Sequence, residues 1–426
     1  MNPLRFETFA ALRHRNFRLF YAGQSVSLLG SWMQSVALSW LVLVLTDSSF
    51  YLGLVGALQA LPILLFSFWG GIVADHRSKY HILFLTQGSM MVLAAVLGLL
   101  VAWQALPIWA LCALVFLAGT AMAFDIPARQ AFIVDLVGKP DLPNAIALNS
   151  TLFNGTRVLG PALAGLLIAA VGMANCFFLN AVSFLAVLLA LAGMELPAAT
   201  PQPRPGFRQA LRELADFLHQ RRELRLILFL MTAVSMLGHS YFVLLPMLAR
   251  DVLKAGPQGF GLLMAMNGVG AFAGGLALAR RVRHRPPMPS LMGGLALFLT
   301  GLLALSLITT YWLALAAIFF MGFGMVTQLS TSNSLLQLNV PDSLRGRIMS
   351  LFSLIIIGSI PLGSLLYGTV AHYLGPGRAM TLGSLAAGMV TILILVRHPR
   401  LMQLEFAELP ARPAAAPPPG FPGTRR

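Results

Sequence analysis

Arg157 places a full positive charge inside an otherwise apolar stretch. A charge at the middle of a bilayer costs at least about 2.5 kcal/mol on insertion scales, so such a residue must face a cavity or a partner. Ser150, Asn154, Arg157 and Pro161 are spaced 4, 3 and 4 apart, which puts them on one helix face. No acid shares that face, so the chemistry on offer is recognition of an anionic or electron-rich group. Asp125 is the other charge at a span. His239 lies in a stripe with Thr232, Ser235 and Phe242, and an imidazole is the side chain that titrates near neutral pH. Gln24, Ser27, Ser31, Gln34 and Ser35 make a second polar stripe, and Gln59, Asn267 and Gln328 are single polar groups elsewhere. Two uses compete for these groups. They contact a substrate, or they hydrogen-bond helix to helix, which is worth about 0.6 kcal/mol on average in membranes. The serines fit the second use better and Arg157 the first; His239 fits both.

Motifs for enzymatic chemistry are missing. The sequence has no G-x-x-x-x-G-K-[ST] phosphate loop and no H-E-x-x-H pair. It also lacks a G-x-S-x-G elbow. The eight histidines have no metal-ligand spacing, and no cofactor is expected. The run from Asn267 to Gly275 looks like a nucleotide loop only superficially, since it sits in an apolar segment with the wrong spacing. Small residues that let helices approach explain it better.

The elements that carry these side chains are membrane spans. Of 426 residues, 58% are hydrophobic and 10% charged, against about 25% charged in soluble domains. Twelve apolar runs have the length of about 20 residues that a spanning helix needs. They are Phe17–Leu45, Tyr51–Val73, Ile82–Trp103, Ile108–Phe124, Asn144–Val171, Asn175–Met194, Leu224–Leu248, Phe260–Ala279, Ser290–Thr309, Trp312–Ser332, Ile348–Tyr373 and Ala379–Val396. The net charge of +15 follows the same plan. Of the 29 Lys and Arg residues, 25 fall on one set of alternating connections, and Arg250, Lys254 and Arg378 on the other. The positive-inside rule then places both termini in the cytoplasm. The basic excess faces anionic lipid of the inner leaflet, not nucleic acid. Cys112 and Cys176 sit in apolar spans and give no disulfide framework.

The chain divides into residues 1–194, a cytoplasmic linker 195–224, residues 225–397 and a disordered tail 398–426. The linker opens with a Pro-rich stretch, Leu196–Gly206. It continues as an amphipathic pattern over Phe207–Arg225, with Leu211, Leu214 and Leu218 among arginines. The flanking segments repeat: Pro140-Asp141 before the fifth span matches Pro341-Asp342 before the eleventh, and Pro161 and Pro361 are expected to break those helices at matched depths. Duplicated six-helix halves are a transporter signature, with the substrate bound between them near the midplane.

Gly70-Gly71-Ile-Val-Ala-Asp75-His76-Arg77-Ser78-Lys79 resembles the G-x-x-x-D-R/K-x-G-R/K loop of the major facilitator superfamily. Gly71, Asp75 and Lys79 match, while His76 and Ser78 depart. The segments around Pro127-Ala-Arg129, Leu142–Ser150 with Arg157–Gly165, and Val340–Ser350 with Arg345-Gly346-Arg347 resemble the branch that contains the enterobactin exporter and related drug exporters. The likeness spans residues 10 to 397. It implies an all-α fold of twelve transmembrane helices in two pseudo-symmetric six-helix bundles, in a bacterial inner membrane. It implies export of small amphiphilic molecules by alternating access, coupled to protons, by a monomer whose partners are that substrate and the bilayer. Import, or lipid handling on the same fold, is the alternative within transport; a receptor or scaffold is the alternative outside it. Gln24, Ser31, Gln34, Gln59, Asn154, Arg157, His239, Asn267 and Gln328 fall on the helices that line the cavity in that fold. The likeness also implies an inner latch of Gly71, Asp75, Arg77, Asp125, Arg129, Arg345 and Gly346 that holds the outward-facing state. The fourth span carries no arginine over Ala110–Phe124, so the coupling residue of many proton antiporters has no counterpart there.

Overall fold

A computed structural model describes residues 9–194, 207–281 and 287–403. The Pro-rich stretch Leu196–Gly206 and the tail beyond residue 403 lie outside the described residues. Among those described, twelve helices are long and apolar enough to cross a membrane. They are Arg15–Thr46, Ser49–His76, Lys79–Ala102, Ile108–Gly138, Pro140–Val171, Met173–Ala192, Arg222–Val252, Pro257–Arg280, Pro287–Leu307, Tyr311–Leu338, Leu344–Leu374 and Pro376–Arg397. The fold is all-helical, as its apolar periodicity requires: only a helix satisfies every backbone group within a single spanning segment. The ends that carry Arg15, Lys79 and Arg222 form a basic end, and the connections at Asp47, Gly172 and Gly375 form the far end.

Tight turns separate the spans. Gly138, at φ 70°, divides the fourth span from the fifth. Gly172 and Gly375, at φ 84° and 85°, turn the chain at equivalent places in the two halves. These are left-handed conformations that glycine adopts without steric cost.

The halves meet through two helix pairs. The second span packs on the eleventh and the fifth on the eighth. Gly53 lies against the Ser364 carbonyl and the Gly368 backbone, and Gly261 against Pro161 and Gly165. A Cβ at Gly53 or Gly261 would collide with the facing backbone. Ser49 Oγ donates to the Gly368 carbonyl at 3.1 Å. These contacts close the far end. The glycine-rich run after Asn267 has the packing role expected of it: Gly268 sits against Arg157 and Val158, and Gly270 and Gly274 sit against the tenth-span backbone at Phe319 and Phe323.

Two expectations need correction. The fifth and eleventh helices run through Pro161 and Pro361 instead of breaking there. Proline removes one internal hydrogen bond, which frees the carbonyl four residues earlier, and neighbouring helices in a membrane bundle can cover such a group. At Pro161 that carbonyl belongs to Arg157, and Gly268 of the eighth span packs beside it. The break falls in the seventh span, which the sequence presents as one run. It is α-helical over Arg222–Leu237, 3₁₀ over His239–Leu244 and π over Leu248–Val252. Gly238 and Pro246 flank the 3₁₀ stretch, and the π turn follows Pro246. The connecting helix spans Phe207–Gln220 and buries Leu214, while its Glu213 pairs with Arg347 of the eleventh span.

Candidate substrate site and charge clusters

Arg157 is half-buried, and its Nη2 donates to Asn267 Oδ1 at 2.9 Å. Asn267 Nδ2 in turn donates to the Tyr241 hydroxyl at 3.1 Å. Fifth, eighth and seventh spans are thereby joined through one guanidinium, one amide and one phenol. Asn267 is 1% exposed and Tyr241 is fully buried, so Arg157 is the member of this chain that reaches open space. Among the described residues no carboxylate lies within 4.0 Å of its guanidinium. One helical turn before Arg157, Phe153 is 45% exposed and meets Trp32 of the first span edge-on, with ring centroids 5.8 Å apart. An uncompensated planar cation suits a flat, anionic group, because guanidinium forks bind carboxylates bidentately. Phe153, one turn earlier on the same helix, offers a ring on which such a group can stack.

The other expected contacts are dispersed. Asn154 is partly exposed and turns its Nδ2 onto the Ser150 carbonyl, 2.8 Å away. Gln34 accepts from Asn180 Nδ2 of the sixth span at 2.7 Å. Ser31 and Gln59 are partly exposed and make no side-chain hydrogen bond among the described residues. Gln24 is 2% exposed and accepts from Arg129 Nη1 at 3.1 Å, which separates it from Arg157.

A polar file runs between the seventh and tenth spans. The His239 ring stands edge-on to Phe298 at 4.9 Å, with the Gln328 side chain beside it. Gln328 Nε2 reaches Met231 Sδ at 3.2 Å. His239 Nε2, Gln328 Oε1, Ser235 Oγ and Ser332 Oγ are buried without a protein partner. Such atoms are costly to bury, and His239 lies two residues before Tyr241 on the irregular segment.

Asp125 belongs to a different cluster. It is fully buried, and its Oδ1 accepts from Thr86 Oγ1 at 3.0 Å and Gln87 Nε2 at 2.8 Å. Its Oδ2 lies 2.8 Å from Arg129 Nη2, one turn along the same helix. The first, third and fourth spans are bound together by this neutral ion pair.

The loop motif is only partly gathered. Nothing lies within 4 Å of the place a Cβ on Gly71 would occupy, whereas a Cβ on neighbouring Gly70 would strike the Ala123 carbonyl of the fourth span. Asp75 is half-buried. Arg77 is exposed and itself makes no side-chain hydrogen bond or ion pair among the described residues. Lys79 pairs with Asp135 at 2.6 Å. Arg345 Nε donates to the Gln337 carbonyl at 3.1 Å, and Gly346 has open space around it. In this conformation Asp125 is bound to Arg129 and Arg77 stands apart from both. Tyr241, Thr86, Gln87, Trp32 and Phe153 were not singled out in the sequence. Each reads there as an ordinary aromatic or polar residue, and only its distant partner shows its role.

The chain is 29% identical over 395 residues to the staphyloferrin A transporter of Staphylococcus aureus, covering 92% of this chain and 98% of that one. It is 26% identical over 411 residues to the enterobactin exporter EntS of Escherichia coli, covering 92% and 94%. In fold it matches a bacterial homologue of the human lysosomal transporter Spinster, in an inward-facing and unoccupied conformation, with a TM-score of 0.73 at 14% identity over 92% of this chain and 99% of that one. The model of the transmembrane secretion effectors matches residues 6–419, so the chain belongs to this family of major facilitator transporters and is a multi-pass membrane protein that moves a small molecule across the bilayer.

Proposed function

We propose that this protein exports small amphiphilic molecules that carry a flat anionic group, by alternating access, from a cytoplasm that holds both of its termini. The observation that carries the reading is Arg157: a mid-span cation with no carboxylate within 4.0 Å among the described residues, tied across the two halves by neutral Asn267. A structural arginine in a membrane is paired; a cation left to a neutral partner can take an anion from the cavity. The names of the relatives favour siderophores as cargo, staphyloferrin A for one and enterobactin for the other, and the second is named an exporter. The closed far end and the tally of basic residues fit an inward-facing state, in which the latch around Asp75 and Arg345 opens and reforms when the far end parts. His239 is the intramembrane group we assign to proton coupling, because it lies in the unsatisfied file that adjoins Tyr241.

The test is a substrate screen in an exporter-deficient cell, with and without a collapsed proton gradient, followed by Arg157→Lys and Arg157→Ala. Recognition by the guanidinium fork predicts that both variants lose at least tenfold in flux while remaining inserted and folded. Full rescue by lysine would reduce the site to a point charge. Normal flux in both variants, or collapse of both proteins, would return Arg157 to a structural role.

A further inference from the structure

At the far end, among the described residues, one ion pair joins the two halves. Arg250, at the close of the seventh span, pairs with Asp47, at the close of the first. These are equivalent positions in the two halves, and neither element ends as a regular helix there. Asp47 adopts a left-handed conformation, φ 46° and ψ 34°, with its N–H still bonded to the Leu43 carbonyl at 2.9 Å. Asp is one of the few residues other than glycine that occupies this region readily, and here it ends the first span as a left-handed cap that turns its carboxylate toward the other half. On the other side, Leu248–Val252 is wound as a π turn, a local widening that is frequent at functional sites. A left-handed helix cap on one half and a π turn on the other thus meet at one contact.

Beneath the pair the interface is apolar or backbone-made. Trp40 of the first span stacks on Phe260 of the eighth at 6.0 Å, and Ser49 bonds to Gly368. Arg250 has a second carboxylate on its own half: its Nε donates to Asp251 Oδ1 at 2.6 Å and its Nη2 to Oδ2 at 3.2 Å. When the halves part, Arg250 therefore keeps a partner.

We propose that Asp47 and Arg250 form a releasable clasp over the far gate, with Asp251 as the holding partner while the gate is open. The proposal rests on the alternating-access reading above. Asp47 is 75% exposed at its side chain and Arg250 33%, so the pair is weak enough to undo in each cycle. Exposed pairs shift an equilibrium by roughly 1.5-fold to fivefold, and a near-balanced two-state transporter responds to that.

The experiment uses the full chain in proteoliposomes, with Cys112 and Cys176 replaced and a reporter cysteine at Ser35. An impermeant thiol reagent is added at the far end, with and without salicylate as a flat anionic probe. Asp47→Asn and Arg250→Gln should each speed labelling up to about fivefold, and the charge-reversed pair Asp47→Arg with Arg250→Asp should return it toward the parent rate. In a second arm, Asp47→Cys with Arg250→Cys should lock on oxidation, stop labelling and recover on reduction. Single variants that label at the parent rate, a reversed pair no slower than the singles, or an oxidised pair that still labels would each overturn the clasp. A parent reporter that ignores salicylate sinks the alternating-access reading instead; a parent that responds while the variants match it sinks the clasp alone.

Discussion

Two arginines inside this bundle have opposite surroundings. Arg129 lies 2.8 Å from a fully buried carboxylate on its own helix, and Thr86 and Gln87 complete that carboxylate's shell. Arg157 has a neutral amide as its partner, on a helix of the other half. The first arrangement cancels charge and binds three spans of one half together. The second leaves charge uncancelled at the junction of the halves, where a substrate can complete it. Residue type and membrane depth alone do not separate a structural cation from a recognition site. What separates them is whether the counter-charge is built into the chain.

The largest effect should come from breaking the neutral cluster. Asp125→Ala strands the partly buried Arg129, whose side chain is 23% exposed. Breaking a buried pair from one side costs about 3–5 kcal/mol, and partial exposure of Arg129 keeps the loss at or below the low end of that range. Detergent-solubilised Asp125→Ala should melt well below the parent or fail to accumulate in the membrane. Replacing Asp125 and Arg129 together with leucine should recover much of that loss, because no charge is then left uncompensated. A stable Asp125→Ala that is defective only in transport would place this cluster with Arg157 and erase the contrast.

Next comes a change that makes the second site resemble the first. Asn267→Asp sets a carboxylate 2.9 Å from the guanidinium, where the amide oxygen now accepts. The charge at Arg157 would then be cancelled from within, and the site should lose its hold on an anion. The expected outcome is at least a tenfold rise in KM for an anionic substrate, with the melting temperature unchanged or higher. If flux of the anion survives Asn267→Asp intact, the substrate does not use the free charge of Arg157.

Much of this contrast was legible in the sequence. The twelve spans follow from apolar runs whose length the bilayer sets. Arg157 stood out as the basic residue within a span, and Asn267 as a lone polar group in a glycine-rich helix. Their pairing could not be read, because 110 positions separate them and no local period links the fifth span to the eighth. Asp125 and Arg129 are one helical turn apart, a spacing that already suggests a pair. The latch implied by the loop motif grouped Asp125 with Arg77, Arg129 and Arg345 alike, and only the four-residue spacing singles out the Arg129 that the structure places 2.8 Å away. The fracture of the seventh span was hidden for a different reason. Gly238 and Pro246 are visible, but proline and glycine are tolerated in unbroken membrane helices, as the fifth span shows at Pro161. What breaks a span is decided by its neighbours.

The smallest effect tests how far the central chain extends. Tyr241 accepts from Asn267 Nδ2, and it is fully buried. Tyr241→Phe keeps the ring, with its stacking on Phe242 at 4.4 Å, and removes only the acceptor. Hydrogen bonds between membrane helices are worth about 0.6 kcal/mol on average. That corresponds to roughly a threefold change in an equilibrium. If Tyr241 orients Asn267, and Asn267 orients the guanidinium, the loss should appear as a rise of about threefold in KM, with kcat and insertion unchanged. The amide would be free to rotate, and Arg157 would lose the fixed angle that a planar fork needs. The matching removal in the neutral cluster, Thr86→Val, deletes one donor to Asp125 and should lower thermal stability without moving KM. The two substitutions each delete a single hydroxyl, so they form a matched pair. Equal effects on KM, or equal effects on stability, would mean that the two clusters do not differ in kind. A split between the two readouts ties the uncancelled charge, and the residues that aim it, to transport.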